Sequence, residues 1–254
     1  MKSLKIAIIF ASFYLMLSGT MAIRPSIWAS TLVDHSLYGE LLMKYVKQGE
    51  VDYQGLKGEE GKLDRYLRVL EKTDSRTLSR DEQFAFYVNA YNAWTLKLIL
   101  SGYPGVKSIK ELGSFLKSPW KKKLCRIDGD LLSLDDIEHK ILRARFKDPR
   151  VHFAVNCASK GCPPLRPEPY QGSILNRQLD EMTTAFISDP ASNRLEGRVL
   201  YASKIFDWFS EDFDDDVVEF FLKYAKGSLK KRLETNRDGI RVKYLDYDWS
   251  LNGK

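Results

Sequence analysis

Apolar and polar positions along the chain alternate first with a helical period and later with mixed periods. Leu37 to Val46 reads as an amphipathic helix leading to a turn near Gly55 and Gly58, and Leu63, Tyr66, Leu67 and Leu70 fall at i, i+3, i+4 and i+7 of a second helix. Ser79 and Glu82 have the spacing of a capping box that starts a long helix ended by Gly102 and Pro104. Its stripe of Phe84, Tyr87, Val88, Tyr91, Trp94, Thr95, Leu98 and Ile99 is broad enough for the central helix of a core.

Beyond it the pattern changes. Lys123 to Ile127 and Leu131 to Leu132 flank Asp128-Gly129-Asp130, a hairpin signal. Ser133 and Asp136 cap a helix running to about Phe146, Asp148-Pro149 breaks it, and Val151 to Asn156 reads as the best strand in the chain. A helix from about Ile174 to Ile187, a strand near Val199 to Tyr201, a helix near Val217 to Tyr224 and a strand from Ile240 to Leu245 follow. Helices predominate without regular βαβ alternation, which predicts an α+β class: one helix-rich domain over 30–254 with a small sheet.

The N-terminus is set apart from this pattern. Lys2 and Lys5 precede an apolar run from Ile6 to Leu17 and then small residues, the order of a secretory signal peptide too short to span a bilayer comfortably. Residues 1–22 are the predicted leader, with Ala29 a later cleavage position, so the expected location is periplasmic or extracellular. No other stretch predicts a membrane span. Loss of Lys2 and Lys5 takes the formal charge from +6 to +4. Basic clusters at Lys121–Lys123 and Arg126 and at Lys223–Arg232 lack interleaved base-stacking aromatics, which argues for solvated helix faces and against a nucleic-acid partner.

Chemistry concentrates in Val151 to Leu165, which holds two of the three cysteines. A thiol at the mouth of a strand is a place where scaffold can hold a nucleophile open to substrate. Cys157 then needs a base. As strand residues five apart, His152 and Cys157 would be separated by about 16 Å and point to opposite faces, and His35 lies beside the leader, which leaves His139 on the preceding helix. On a wheel of about 100° per residue, Glu138 falls within the apolar arc, where a carboxylate needs a partner or a role; contact with Arg145 is the structural alternative. Asn89 and Asn92 intrude one turn apart on the flank of the long helix, and with Tyr91 and Cys162 they are the candidates for holding substrate. Cys157 and Cys162 also admit a redox pair. A zinc site would need tighter cysteine spacing and a second ligand pair, so neither metal nor other cofactor is expected. Cys125 is most simply a small buried hydrophobe.

The strings F-Y-V-N-A-Y-N-A-W-T-L from Phe86, I-E-H-K-I-L-R from Ile137, H-F-A-V-N-C-A-S-K-G-C-P-P-L from His152 and D-W-F-S-E-D-F from Asp207, with V-D-Y-Q-G-L at Val51, resemble in this order the domain of unknown function 547 family. The resemblance spans roughly Leu37 to Leu251. It implies a fold similar to cysteine-peptidase-like α+β cores and a Glu-His-Cys site, carried here by Glu138, His139 and Cys157, with Cys162 in the same string as a second candidate nucleophile. The expected activity is hydrolysis or transfer at a peptide, isopeptide or γ-glutamyl-type amide. A non-catalytic module binding a peptide or a small thiol-containing ligand is the second expectation, and a thiol oxidoreductase the third.

Overall fold

The computed structural model describes residues 32–114 and 117–254; the predicted leader and both cleavage positions lie outside the described residues. Helix α1 (Ser36–Tyr45) runs into a two-residue hairpin, β1 (Val46–Lys47) and β2 (Glu50–Val51). The expected turn at Gly55 and Gly58 is instead helical, because Asp52 accepts a hydrogen bond from the Gly55 N–H and caps α2 (Tyr53–Gly58). Helix α3 (Glu60–Lys72) buries Leu63, Tyr66, Leu67 and Leu70, the predicted stripe. Ser79 and Glu82 complete their capping box at the head of α4 (Arg80–Leu100). Most of α4 is buried, including its polar Asn89, Asn92 and Thr95, so it is a central helix covered on several sides.

The hairpin of β3 (Cys125–Ile127) and β4 (Asp130–Leu132) pairs Cys125 with Leu132. Ser133 and Asp136 exchange hydrogen bonds, as their spacing predicts, but the helix that follows, Asp136–Phe146, is a π-helix, whose wider turn departs from the 100° wheel. The predicted strand at Val151 is absent. Pro149 pre-sets the backbone for a helical turn, the Asp148 carboxylate accepts from the Arg150 N–H, and Pro149–Phe153 forms a 3-10 turn. A short buried apolar run suits a buried helical turn as well as a strand, and here the proline at its start decides.

Helix α5 (Leu175–Ser188) precedes a three-stranded sheet in which β5 (Arg194–Glu196) pairs antiparallel with β6 (Val199–Ala202), and β6 pairs parallel with β7 (Arg241–Tyr244). Between β6 and β7 lie α6 (Ile205–Trp208), α7 (Val217–Tyr224) and α8 (Gly227–Asn236). The result is the expected helix-rich α+β class. Among the described residues no helix is long and apolar enough to cross a membrane. After β7 the chain returns as a strap: Lys160 and Gly161 donate to the carbonyls of Ser250 and Asp248, Asn252 donates to Ala158, and Val51 donates to Asn252.

His35 is not the exposed residue its position suggests. Asn89 donates to its Nε2, so Nδ1 carries the proton and donates to the Tyr66 hydroxyl at 2.7 Å. Burial lowers its pKa to about 4 from 6.5. Between these values the unfolded chain binds the extra proton, so the contribution of neutral His35 is complete above pH 6.5 and is lost as pH falls to about 4. Chemical denaturation across this window is expected to show a stability change on the order of 3 kcal/mol, largely removed by His35→Gln.

Candidate functional site

The π-helix, the loop after the 3-10 turn, α6 and the C-terminal strap converge on one pocket of about 240 Å³. Glu138 and His139 enter from the π-helix, His152 from the turn, Cys157 and Cys162 from the loop, Trp208 and Phe209 from α6 and its end, and Tyr247 and Trp249 from the strap. Tyr91 reaches it from α4 and Trp120 from the segment before β3. The pocket thus gathers the predicted Glu138, His139, Cys157, Cys162 and Tyr91.

Cys157 and Cys162 are joined by a disulfide. Neither sulfur is a nucleophile while the bond stands, which changes the expected free thiol into one that reduction must uncover. The Cys157 N–H points at Cys162 Sγ at 2.9 Å, and the Tyr247 hydroxyl lies 3.1 Å from Cys157 Sγ. Cys125 is free and buried on β3, where burial pushes its thiol pKa up and keeps it protonated.

Asn89 and Asn92 do not line the pocket; both amides hold backbone. Asn89 accepts from the Tyr170 N–H and donates to the Tyr170 carbonyl, at 2.9 and 2.8 Å. Asn92 does the same for the cysteine loop, accepting from the Asn156 N–H at 2.8 Å and donating to the Ala154 carbonyl at 2.9 Å. Asn156 then closes the loop on itself by donating to the Pro163 carbonyl and accepting from the Ala158 N–H. Pro163 lines the pocket, and Pro164 packs so closely on Gly49 that a Cβ there would lie 2.4 Å from the Pro164 Cβ. An amide buried in an apolar helix must satisfy its donors and acceptor, and a neighbouring irregular segment supplies the unpaired backbone groups.

Glu138 does not orient His139, nor does it meet Arg145, which is exposed. Its carboxylate faces the Tyr91 and Tyr247 hydroxyls, and burial together with this negative neighbour raises the pKa of both phenols. The His139 ring is held by Arg143, whose guanidinium donates to Nδ1 at 3.0 Å, with Asp135 3.9 Å from Nε2. Arg143 also clamps Asp212 through two hydrogen bonds of 2.5 and 3.1 Å and reaches Glu211.

His152 is the residue that sequence reasoning set aside. Its ring stacks on Phe209 at 4.1 Å, its Nε2 binds the Asp212 carboxylate at 2.6 Å, and its Nδ1 is buried with no partner. Burial alone would raise the Asp212 pKa, but hydrogen bonds from His152 and Arg143 outweigh it and hold this carboxyl below the usual range. Asp212, Trp208 and Phe209 all come from the D-W-F-S-E-D-F string, whose acidic and aromatic residues were the available signal for this wall.

No curated protein and no solved structure matches the chain. Residues 75–187 match the model of the family described as "Protein of unknown function, DUF547". The matched segment includes α4, the Glu138-His139 pair, His152 and both pocket cysteines, while the D-W-F-S-E-D-F string and the strap lie beyond it. The likeness to this family is therefore carried by residues 75–187, somewhat under half of the chain.

Proposed function

We propose that the pocket is a thiol acyl-transfer site kept latent by the Cys157–Cys162 disulfide. In the reduced protein Cys157 attacks the carbonyl carbon of a peptide, isopeptide or γ-glutamyl-type amide, forms an acyl thioester and passes the acyl group to water or an amine. The observation that carries this reading is the convergence of Cys157 with two histidines and two carboxylates, Asp135 and Glu138, in one recess. A recess of about 240 Å³ with Tyr91, Trp120, Trp208, Phe209, Tyr247 and Trp249 in its walls suits a single side chain or a γ-glutamyl-sized group. A disulfide also agrees with an exported location, where such bonds persist.

The bond favours a second reading, thiol–disulfide exchange. Cys162 lines both this pocket and a neighbouring recess floored by Asn156, Ser159 and Asn252, which leaves the bond approachable from two sides. Thiol counting and an acyl probe separate the readings. Denatured without reductant, the protein should titrate one free thiol, Cys125, and three after reduction. For acyl transfer, γ-glutamyl and peptidyl thioester donors should leave an acid-stable acyl mass on Cys157 of the reduced protein alone. Catalytic passage of the disulfide to a reduced dithiol client, with no acyl adduct, would establish exchange instead.

A further inference from the structure

The pocket holds two histidines, and their hydrogen bonds give them opposite roles. Arg143 carries only donors, so its contact of 3.0 Å makes His139 Nδ1 an acceptor and places the proton of the neutral ring on Nε2. The lone pair of His139 is thus occupied. In His152 the arrangement is reversed. The Asp212 carboxylate, 2.6 Å from Nε2, can only accept, so Nε2 carries the proton and Nδ1 presents a lone pair. That nitrogen is buried without a partner on a ring lining the same pocket as Cys157. Stacking on Phe209 and the bond to Asp212 hold the ring in place, while Arg143 ties Asp212 from behind.

We propose that His152, through Nδ1, is the group that accepts the Cys157 proton, with Asp212 as its positioning residue, and that His139 serves the pocket as a hydrogen-bond donor through Nε2–H. The assignment rests on the acyl-transfer reading and names its base. A dithiol reductant delivers two electrons and two protons to the Cys157–Cys162 bond and is oxidised to a disulfide, leaving two thiols. Nδ1 takes the proton from Cys157 Sγ and the thiolate adds to the amide carbonyl carbon. As the tetrahedral intermediate collapses the C–N bond breaks, and the imidazolium returns its proton to the departing amine. The same nitrogen then takes a proton from the water that cleaves the thioester and restores it to the sulfur. Asp212 stabilises the imidazolium at each stage without itself being protonated. The charged and titratable groups around the ring are Asp212 and Arg143 on one side and His139, Asp135, Glu138, Tyr91 and Tyr247 across the pocket, Asp135 lying 3.9 Å from His139 Nε2.

The test follows Cys157 alkylation by iodoacetamide in the reduced full-length protein at pH 6.5, with peptide mapping to separate Cys157 from Cys162 and Cys125. His152→Gln and Asp212→Asn should each slow Cys157 by about tenfold or more, because each removes the base or its support, and by more than His139→Ala, which removes only a donor, whereas Arg145→Ala, at an exposed position of the same helix, should change the rate by less than about twofold. His152 is buried, so nitrogen-15 spectra of the wild-type protein give a measurement independent of folding in the variants. On reduction, His152 Nδ1 should gain a proton as the thiolate forms, and it should lose that proton when Cys157 is alkylated. If His139→Ala slows the reaction tenfold while Asp212→Asn leaves it unchanged, or if His152 stays neutral on reduction, the assignment to His152 is wrong and the acyl-transfer reading survives with another base. If wild-type Cys157 reacts as an ordinary thiol, that reading falls too.

Discussion

Gly253→Ala should unfasten the C-terminal strap and lower stability by about 3 kcal/mol or more, a fall in melting temperature of ~6–12 °C for a chain of this size. A Cβ at this position would lie 1.9 Å from the Val51 carbonyl oxygen and 2.8 Å from its carbon, so backbone has to move. The segment at stake bridges Gly253 to Val51, and Lys254 accepts from the Tyr53 N–H and donates to the Val51 carbonyl. Tyr53 and Asn252, linked through their side chains at 2.7 Å, would separate. The effect should extend to the pocket, because the same strap carries Tyr247 against Cys157 and Trp249 into the aromatic wall. Thermal unfolding followed by near-ultraviolet circular dichroism reads both consequences. A variant melting with the wild type would mean that the strap contributes little to the fold.

Asn92→Ala should cost about 2–4 kcal/mol, since it leaves the Asn156 N–H and the Ala154 carbonyl buried and unpaired. Asn89→Ala should cost a similar amount through the two groups of Tyr170. The two variants should part at the thiols. Asn92 fixes the residues immediately before Cys157, so its loss should make the disulfide easier to reduce and Cys157 alkylation less selective over Cys162. Asn89 fixes a segment away from the pocket, so its loss should leave both unchanged. Equal effects of the two variants on the thiols would remove Asn92 from the site's scaffold.

Local signals in the sequence predict α1, α3, α4, α5 and α7, while α2 lies where a turn is expected and α6 and α8 are not predicted. Ser79 with Glu82 and Ser133 with Asp136 make reciprocal caps, Leu63 to Leu70 form a buried stripe, and α7 has the bounds its apolar pattern suggests. The run from Val151 to Asn156 weighs most on the site. Treated as extended chain, it put His152 on the wrong face and too far from Cys157; as a 3-10 turn it brings both to one pocket. An apolar run of that length carries no period able to separate the two conformations.

The polar intrusions on α4 were visible, but their partners were not, because the carbonyl and amide that Asn92 holds belong to a segment 62 and 64 residues away. For the same reason Tyr247 and Trp249 went unnoticed: they follow β7 without periodicity and reach the pocket through backbone bonds to the cysteine loop. The wheel that placed Glu138 in the apolar arc assumed an α-helix. In the π-helix Glu138 still faces inward, toward Tyr91 and Tyr247, while His139 turns to Arg143.

The central claim, that reduction uncovers an activated nucleophile at Cys157, is tested most directly by the pH dependence of Cys157 alkylation in the reduced wild-type protein. A thiolate stabilised by an imidazolium in the pocket should give a rate that levels off well below the pKa of about 8.5 expected of a free thiol, with Cys125 unreactive until the protein unfolds. A profile that rises through that value like an ordinary thiol's, or a Cys157 that stays inert after reduction, would contradict the claim and leave the recess as a binding pocket with a structural disulfide in its wall.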